Sequence, residues 1–325
     1  MQETPLVSIC CMAYNHEKFI KEAIEGFLMQ KTNFPFEIVI HDDASTDKTA
    51  EIIKSYEEKH PELFVTKYQT VNQYSQGLKP TVHFLYPKAR GKYIALCEGD
   101  DYWTDPYKLQ KQVDFLEENA EYVICFHNAK INKHGELLDD YITRKVPETT
   151  DILELAKGNY MHTPTVIFKR KWQELPDWFS KCSAGDYALH MINAQFGKIK
   201  KLDDVMAVYR VHGSNIWANQ KTNEMAINIH KYLDVMLDKF PDEVNSIILK
   251  RYNAITIIVI KYFYQNDDIE NANLYFKKLV ANTTSPTILH KYLAASTPKK
   301  ASYHVFELKQ KMYNKLSQLI SSFKK

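Results

Sequence analysis

Tyr93-Ile94-Ala95-Leu96-Cys97, followed at once by Glu98-Gly99-Asp100-Asp101, is the stretch on which the fold turns. An unbroken apolar run of this length suits a strand covered on both faces, as strands of a parallel sheet are. Three carboxylates stand directly beyond its end. Upstream the same grammar recurs. Leu6-Val7-Ser8-Ile9-Cys10-Cys11-Met12 reads as a first buried strand, and Glu37-Ile38-Val39-Ile40-His41 as a second, ending in Asp42-Asp43. Between them Phe19, Ile20, Ala23, Ile24, Phe27 and Leu28 recur at helical spacing, with Asn15 placed to cap that helix. Ser45, Thr46 and Asp47 offer caps for a helix carrying Ala50, Ile53 and Tyr56, which Pro61 ends. Residues 64–68 read as a third strand and residues 81–89 as a helix.

Downstream, Asp105-Pro106 is expected as N-cap and first helical residue before the stripe Leu109, Val113 and Leu116. Residues 122–126 form another strand, His162 to Phe168 a loop running into a strand, and Gly185-Asp186 opens a helix with Leu189, Ile192 and Phe196. Residues 205–211 form a strand ending at His212-Gly213-Ser214-Asn215. Strands alternating with helices imply an α/β fold with a mainly parallel sheet and helices on both faces. In such sheets ligands bind beyond the carboxyl ends of the strands. Beyond about residue 220 the pattern is helical only. The pair around residues 266–280 bears a faint likeness to a helical-repeat unit, and no tandem repeat is evident.

Composition excludes several classes. Of 325 residues 45% are hydrophobic and 25% charged, ordinary globular usage. Forty-two basic against 40 acidic residues leave a net charge of +2, which gives no electrostatic ground for nucleic-acid binding. Nine glycines leave little material for glycine-rich phosphate loops. The cysteines Cys10, Cys11, Cys97, Cys125 and Cys182 form no C-x-x-C pair, so buried thiols in a reducing compartment are expected. No signal peptide is expected. The longest aliphatic run, residues 254–260, is far short of the ~20 residues a membrane span needs. A cytoplasmic protein is the expectation.

The Asp pairs after two parallel strands carry the chemistry. Asp-Asp is common in turns, where the side chains serve the backbone. Two pairs converging on one crevice repel each other unless a cation intervenes. Mg²⁺ or Mn²⁺ with phosphate oxygens supplies one, since such ions take oxygen ligands and often only one or two carboxylates.

From residue 6 to about 215 the chain resembles the family 2 glycosyltransferases, which have the GT-A fold. The resemblance is carried, in order and spacing, by several stretches. They are Val7-Ser8-Ile9-Cys10-Cys11-Met12-Ala13-Tyr14-Asn15, then Glu37-Ile38-Val39-Ile40-His41-Asp42-Asp43-Ala44-Ser45-Thr46-Asp47-Lys48-Thr49, and then Arg90-Gly91-Lys92 running through Asp101. Gly185-Asp186-Tyr187 and Tyr209-Arg210-Val211-His212-Gly213-Ser214-Asn215 complete the set. It implies a glycosyltransferase domain over 1–218, with a nucleotide-sugar-binding half (1–127) and an acceptor-binding half (128–218), ahead of a helical region over 219–325. It further implies inverting transfer of a sugar from a nucleotide-diphospho-sugar, most commonly UDP-linked, to the hydroxyl of a saccharide or lipid-linked saccharide acceptor in bacterial surface polysaccharide synthesis.

The residue roles implied by the resemblance follow the motifs. Ala13, Tyr14 and Asn15 line base and ribose, and Asp43 hydrogen-bonds the base, while Asp42 reads as a turn residue. Asp100 lies near the ribose and Asp101 on Mn²⁺ or Mg²⁺, with His212 as a further metal or phosphate contact or, alternatively, a structural histidine. Glu98 stands where many members carry Asp, one methylene shorter. Asp186 is the candidate base for the acceptor hydroxyl; at a helix start it could equally serve as a cap. Tyr102, Trp103, His162, Thr163 and Arg210 are candidates for the sugar and acceptor pockets, with the core as the alternative for Tyr102 and Trp103.

A sugar-phosphate nucleotidyltransferase is a rival reading, but it would put a glycine-rich loop after the first strand, where Met12-Ala13-Tyr14-Asn15 has none. A non-catalytic nucleotide-sugar or carbohydrate-binding module would tolerate neutral residues at Asp101 and Asp186. Residues 299–325 hold seven Lys and one Glu on an amphipathic pattern, suited either to packing on preceding helices or to peripheral contact with an anionic membrane.

Overall fold

The computed structural model describes residues 4–213 and 222–282. The chain divides into two compact units, Met1–Ala218 and Asn219–Lys325. In the first, the elements in chain order are β1 (Val7–Ala13), α1 (Ile20–Leu28), β2 (Phe36–Asp42), α2 (Thr49–Glu57), β3 (Phe64–Tyr68), β4 (Tyr93–Leu96), β5 (Tyr102–Trp103) and α3 (Lys108–Glu118). There follow β6 (Tyr122–Lys133), β7 (Glu136–Asp139), β8 (Thr149–Thr150), α4 (Ile152–Ala156), β9 (Ile167–Lys169), α5 (Gly185–Ala194) and β10 (Lys198–Val211).

Ten strands make one sheet in the order β3-β2-β1-β4-β9-β6-β10-β5, with β7 on β6 and β8 on β10. The α/β class is as the sequence indicates. The first four strands pair in parallel, β1 lying between β2 and β4 with Val7 opposite Phe36 and Tyr93. That central place explains the unbroken apolar run of β1, buried on both faces. β6 does not join β4; the short β9 inserts antiparallel to both. Beyond β9, β10 pairs parallel with β6 across three irregularities, one at residues 198–199 and two at residues 202–207, and antiparallel with β5.

The helices cover the sheet with their predicted stripes. Ile20, Ala23, Ile24 and Phe27 of α1, and Leu109, Val113 and Leu116 of α3, are buried in one continuous core. All five cysteines are free and buried.

Several local expectations are corrected. Asn15 does not cap α1: the helix starts four residues later behind Phe19, with no side-chain cap. Asn15 instead adopts φ +55° and accepts the N–H of Thr46 on Oδ1 at 2.8 Å, tying the loop after β1 to the loop after β2. Asp105-Pro106 forms a turn before α3, which begins at Lys108. Residues 81–88 wind as a π turn and then a 3₁₀ turn, because Pro87 has no N–H to continue a regular ladder. β6 and β10 are each longer than their apolar segments suggested. Phe196 falls beyond α5 and is half exposed.

The second unit contains α6 (Thr222–Met236), α7 (Asp242–Gln265) and α8 (Ile269–Asn282). Ile260, Phe276 and Leu279 form a small core, and His230 is packed between the rings of Tyr252 and Tyr275. No helix among the described residues is long and apolar enough to cross a membrane. Ser214 and Asn215, and the basic segment 299–325, lie outside the described residues.

Candidate active site

The turn after β4 is built around Gly99. A Cβ there would come within 2.8 Å of His16 Nδ1, 2.9 Å of Ile20 Cδ1 and 3.2 Å of the Met12 carbonyl, so the acidic turn lies close against the loop after β1 and a larger residue would have to displace those side chains. Asp100 and Asp101 are both buried. Asp101 Oδ1 accepts the backbone N–H of Arg210 at 2.8 Å. The Arg210 guanidinium donates to the Asp100 carbonyl at 2.6 Å and to Glu22, and lies over the rings of Tyr102 (4.3 Å) and Phe19 (5.1 Å). Arg210 thus pins the acidic turn between two aromatic faces, and its charge is directed to Glu22 on α1.

Two imidazoles flank Asp100: His212 Nε2 lies 3.0 Å and His16 Nε2 3.9 Å from its Oδ2. Burial works against ionisation of Asp100, but the His212 hydrogen bond and the two histidine charges hold its carboxyl below the usual range. For Asp101, burial and the Asp100 charge win, and its carboxyl is pushed well above that range. Glu98 is solvent-exposed. Desolvation, then Asp100 and Asp186, push its carboxyl up to about 8.

Asp186 lies in the first turn of α5, whose N-cap is Ala184 without a side-chain cap bond, so its carboxylate is not spent on capping. It accepts from Asn159 Nδ2 at 3.2 Å. Burial, then the charges of Asp101, Glu98, Asp100 and Asp186, push the phenol of Tyr209 on β10 up. Tyr209 stacks on His162 at 4.7 Å between ring centres. His162 Nε2 is 3.1 Å from Asp140 Oδ2, which links the site to the loop after β7. Thr163 opens the 3₁₀ turn leading to β9.

On the donor side, Ala13 is buried at the end of β1 and Tyr14 is exposed beyond it. Asp42 Oδ1 accepts the Ser45 hydroxyl at 2.5 Å, a turn contact. Asp43 is buried, and its two oxygens accept the backbone N–H groups of Gln73 (2.8 Å) and Tyr74 (3.0 Å), so it fixes the loop carrying the exposed Tyr74. Trp103 takes the core alternative: it is 2% exposed, packs edge-on against Phe27 and donates Nε1–H to the Pro164 carbonyl at 2.8 Å. Tyr102 is half-buried under Arg210.

Four members of the site were not singled out from sequence: His16, Glu22, Asn159 and Tyr209. His16 had a usable signal, since it directly follows Asn15 beyond a strand end. The others reach the site through contacts across 27 to 188 residues.

Carboxylate oxygens and an imidazole nitrogen are the donor set that Mg²⁺ and Mn²⁺ accept. Among the described residues no three His, Cys, Asp or Glu side chains form a metal cage. The fit is therefore to an ion held by one or two side chains, with water and phosphate oxygens completing its shell. A separate cavity of about 510 Å³ lies at the opposite, amino-terminal end of β1 and β4. Two of its basic walls, Arg90 and Lys92, are already paired with Glu37 and Glu117, so it offers no comparable chemistry.

Comparison with known proteins agrees with this architecture. The family model "Glycosyl transferase family 2" matches residues 8–174, just over half of the chain. The chain belongs to glycosyl transferase family 2. An uncharacterized protein of Mycobacterium tuberculosis is 37% identical over 220 residues, 67% of this chain; the match spans 62% of that relative's length. Among solved structures, TarS of S. aureus in complex with UDP-GlcNAc has a TM-score of 0.57 at 18% identity, covering 89% of this chain and 87% of that one. The mannosyltransferase PcManGT of Pyrobaculum calidifontis, in complex with GDP-Man and Mn²⁺, has a TM-score of 0.53 at 16% identity, covering 98% and 86%. The fold is that of these GT-A glycosyltransferases.

Proposed function

We propose that this chain is an inverting glycosyltransferase that moves a sugar from a UDP-linked donor to an acceptor hydroxyl on a saccharide or lipid-linked saccharide, in the making of a bacterial surface glycan. The observation that carries the reading is the acidic turn after β4, where Asp100 Oδ2 lies 3.0 Å from His212 Nε2 and Asp101 accepts the Arg210 N–H at 2.8 Å, so that the ends of β4 and β10 bring two buried carboxylates and an imidazole together. The bound nucleotide sugars of the two structural relatives, one UDP-linked and one GDP-linked, and the Mn²⁺ of one support a nucleotide-diphospho-sugar donor and the use of a divalent ion.

In this reading Ala13, Tyr14 and Asn15 line the base and ribose, with Tyr14 free to stack, and Asp43 shapes that wall. Asp100, oriented by His212, meets the ribose. Asp101 and His212 are the side chains that would hold Mn²⁺ or Mg²⁺. Such an ion, when bound, supplies Lewis-acid stabilisation of the diphosphate leaving group. Asp186 accepts the acceptor's proton as its oxygen attacks the anomeric carbon from the face opposite the diphosphate, which inverts that carbon.

A thermal-shift screen of nucleotide sugars with and without Mn²⁺ tests the reading. A UDP-sugar should raise Tm only when the ion is present, because a ligand of the native state alone stabilises it. No shift with any sugar nucleotide would sink the proposal. Asp186→Asn should keep the donor-induced shift while turnover falls roughly 10²–10⁴-fold, the usual share of a general base. Wild-type turnover in that variant moves the base elsewhere.

A further inference from the structure

Among the described residues one hydrogen bond reaches the Asp186 carboxylate, from Asn159 Nδ2 to Oδ2 at 3.2 Å. The Asn159 amide is not free to turn end for end, because its Oδ1 accepts the backbone N–H of Met161 at 3.2 Å. One end is thereby committed as acceptor to its own loop and the other as donor toward Asp186.

That loop is anchored on both sides. Tyr187, next to Asp186 on α5, donates its hydroxyl to the Leu155 carbonyl of α4 at 3.0 Å. The Tyr160 hydroxyl is bonded to Thr150 Oγ1 at 2.7 Å. Between these anchors Gly158 turns the chain at φ +145°, a backbone conformation that a side chain would strain. α4, the loop and the first turn of α5 form one hydrogen-bonded unit, and its polar output is aimed at Asp186.

The other groups that act electrostatically with Asp186 do not orient it. Glu98 carries the same charge. The Lys79 ammonium donates to the carbonyls of Phe179 and Cys182 ahead of α5. His190, one turn along α5, is fully buried and kept neutral, its imidazole pushed by burial down to about 4. Tyr86, Tyr209 and the Cys182 thiol are kept neutral, chiefly by burial.

We propose that Asn159 is the positioning residue of the acceptor base: its amide holds Asp186 in one rotamer, occupies Oδ2 and leaves Oδ1 to take the proton of the acceptor hydroxyl. The inference rests on the reading of Asp186 as base and names what makes that base effective. A base misplaced by about an ångström loses up to roughly 10²-fold in rate.

The test is Asn159→Ala in the full chain, which removes both the donor to Asp186 and the acceptor for Met161 N–H without adding charge, alongside Asn159→Asp, which keeps that acceptor but sets a second carboxylate against Asp186. The probe is the sugar nucleotide ranked first by the thermal screen, with Mn²⁺ and with water as acceptor. Both variants should keep UDP affinity and donor KM and lower kcat by roughly 10–100-fold, and Asn159→Asp should also move the acidic limb of the kcat–pH profile to higher pH, because a second carboxylate disfavours the ionised base. Wild-type kcat in both variants, or a kcat loss matched by weakened UDP binding, overturns the proposal. If Asn159→Ala is destabilised through the lost Met161 contact, Asn159→Asp still carries the test. Asp186→Asn separates the two readings. If it turns over normally, the base assignment and the role of Asn159 fall together. If it is inactive while Asn159→Asp is normal, only the role of Asn159 falls.

Discussion

The two ends of the parallel sheet bury acid in opposite ways. At the amino-terminal end Glu37, 1% exposed, accepts from the Ser8 hydroxyl (2.6 Å), the Arg90 N–H (2.7 Å) and the Arg90 Nε (2.8 Å), with Arg90 Nη2 at 2.7 Å. One carboxylate meets one guanidinium and both its oxygens are bonded. At the carboxyl-terminal end Asp100 and Asp101 are both buried beside Glu98, while the guanidinium of Arg210 is directed to a carbonyl and to Glu22. Burial of acid alone does not mark a site, since both ends have it. An excess of acid over matched cation does, because it stores a repulsion that a divalent ion and its ligand relieve.

Removing an acid from each end should therefore have opposite consequences. The largest effect is expected from Asp101→Ala. Loss of a ligand's neighbour alone weakens metal binding 10–100-fold, so loss of the ligand should weaken Mn²⁺-linked UDP binding by about 100-fold or more in calorimetry, with the fold intact. Undiminished metal-linked binding would erase the contrast. Next is Glu37→Ala, which leaves the buried Ser8 hydroxyl and Arg90 N–H without their acceptor. A loss of roughly 2 kcal/mol in urea unfolding is expected, moderated because the Arg90 side chain is half exposed and regains water, while UDP affinity per folded molecule stays unchanged.

The smallest effect is a pH dependence. The Glu98 carboxyl is raised from 4.5 to about 8 in the folded protein. The native state then holds a proton that the unfolded chain has released, so between about pH 4.5 and 8 stability falls as pH rises. Below that window both states are protonated, the contribution is at its full value and the slope vanishes. Without divalent ion, Glu98→Gln should flatten this part of the Tm-against-pH curve. An identical slope in both proteins would show that Glu98 does not share in the repulsion.

Much of this was legible in the chain. The apolar runs of β1, β2 and β4 and the stripe of α1 locate themselves, because burial on two faces or one dictates residue type locally. Asp100, Asp101 and Asp186 were legible by their place at element ends and by the ordered motifs around them. Asn15 was misjudged as a cap because a side chain that can cap a helix can equally bind the next loop, and the 30-residue contact to Thr46 is invisible locally. Trp103 was ambiguous, and Arg210 was read as a pocket residue, for a related reason: a large ring or a guanidinium next to an acidic motif looks alike whether it faces substrate or holds the motif in place.

The sequence by itself determined the alternating architecture, the acid at the strand ends and the family, because periodicity and residue type are local properties. Only the tertiary structure decided which acid is neutralised and which is left in excess, where β9 inserts, and that Asn159 meets Asp186. Each of these depends on atoms a few ångströms apart in space but far apart along the chain, and Coulomb and hydrogen-bond energies follow the distance in space.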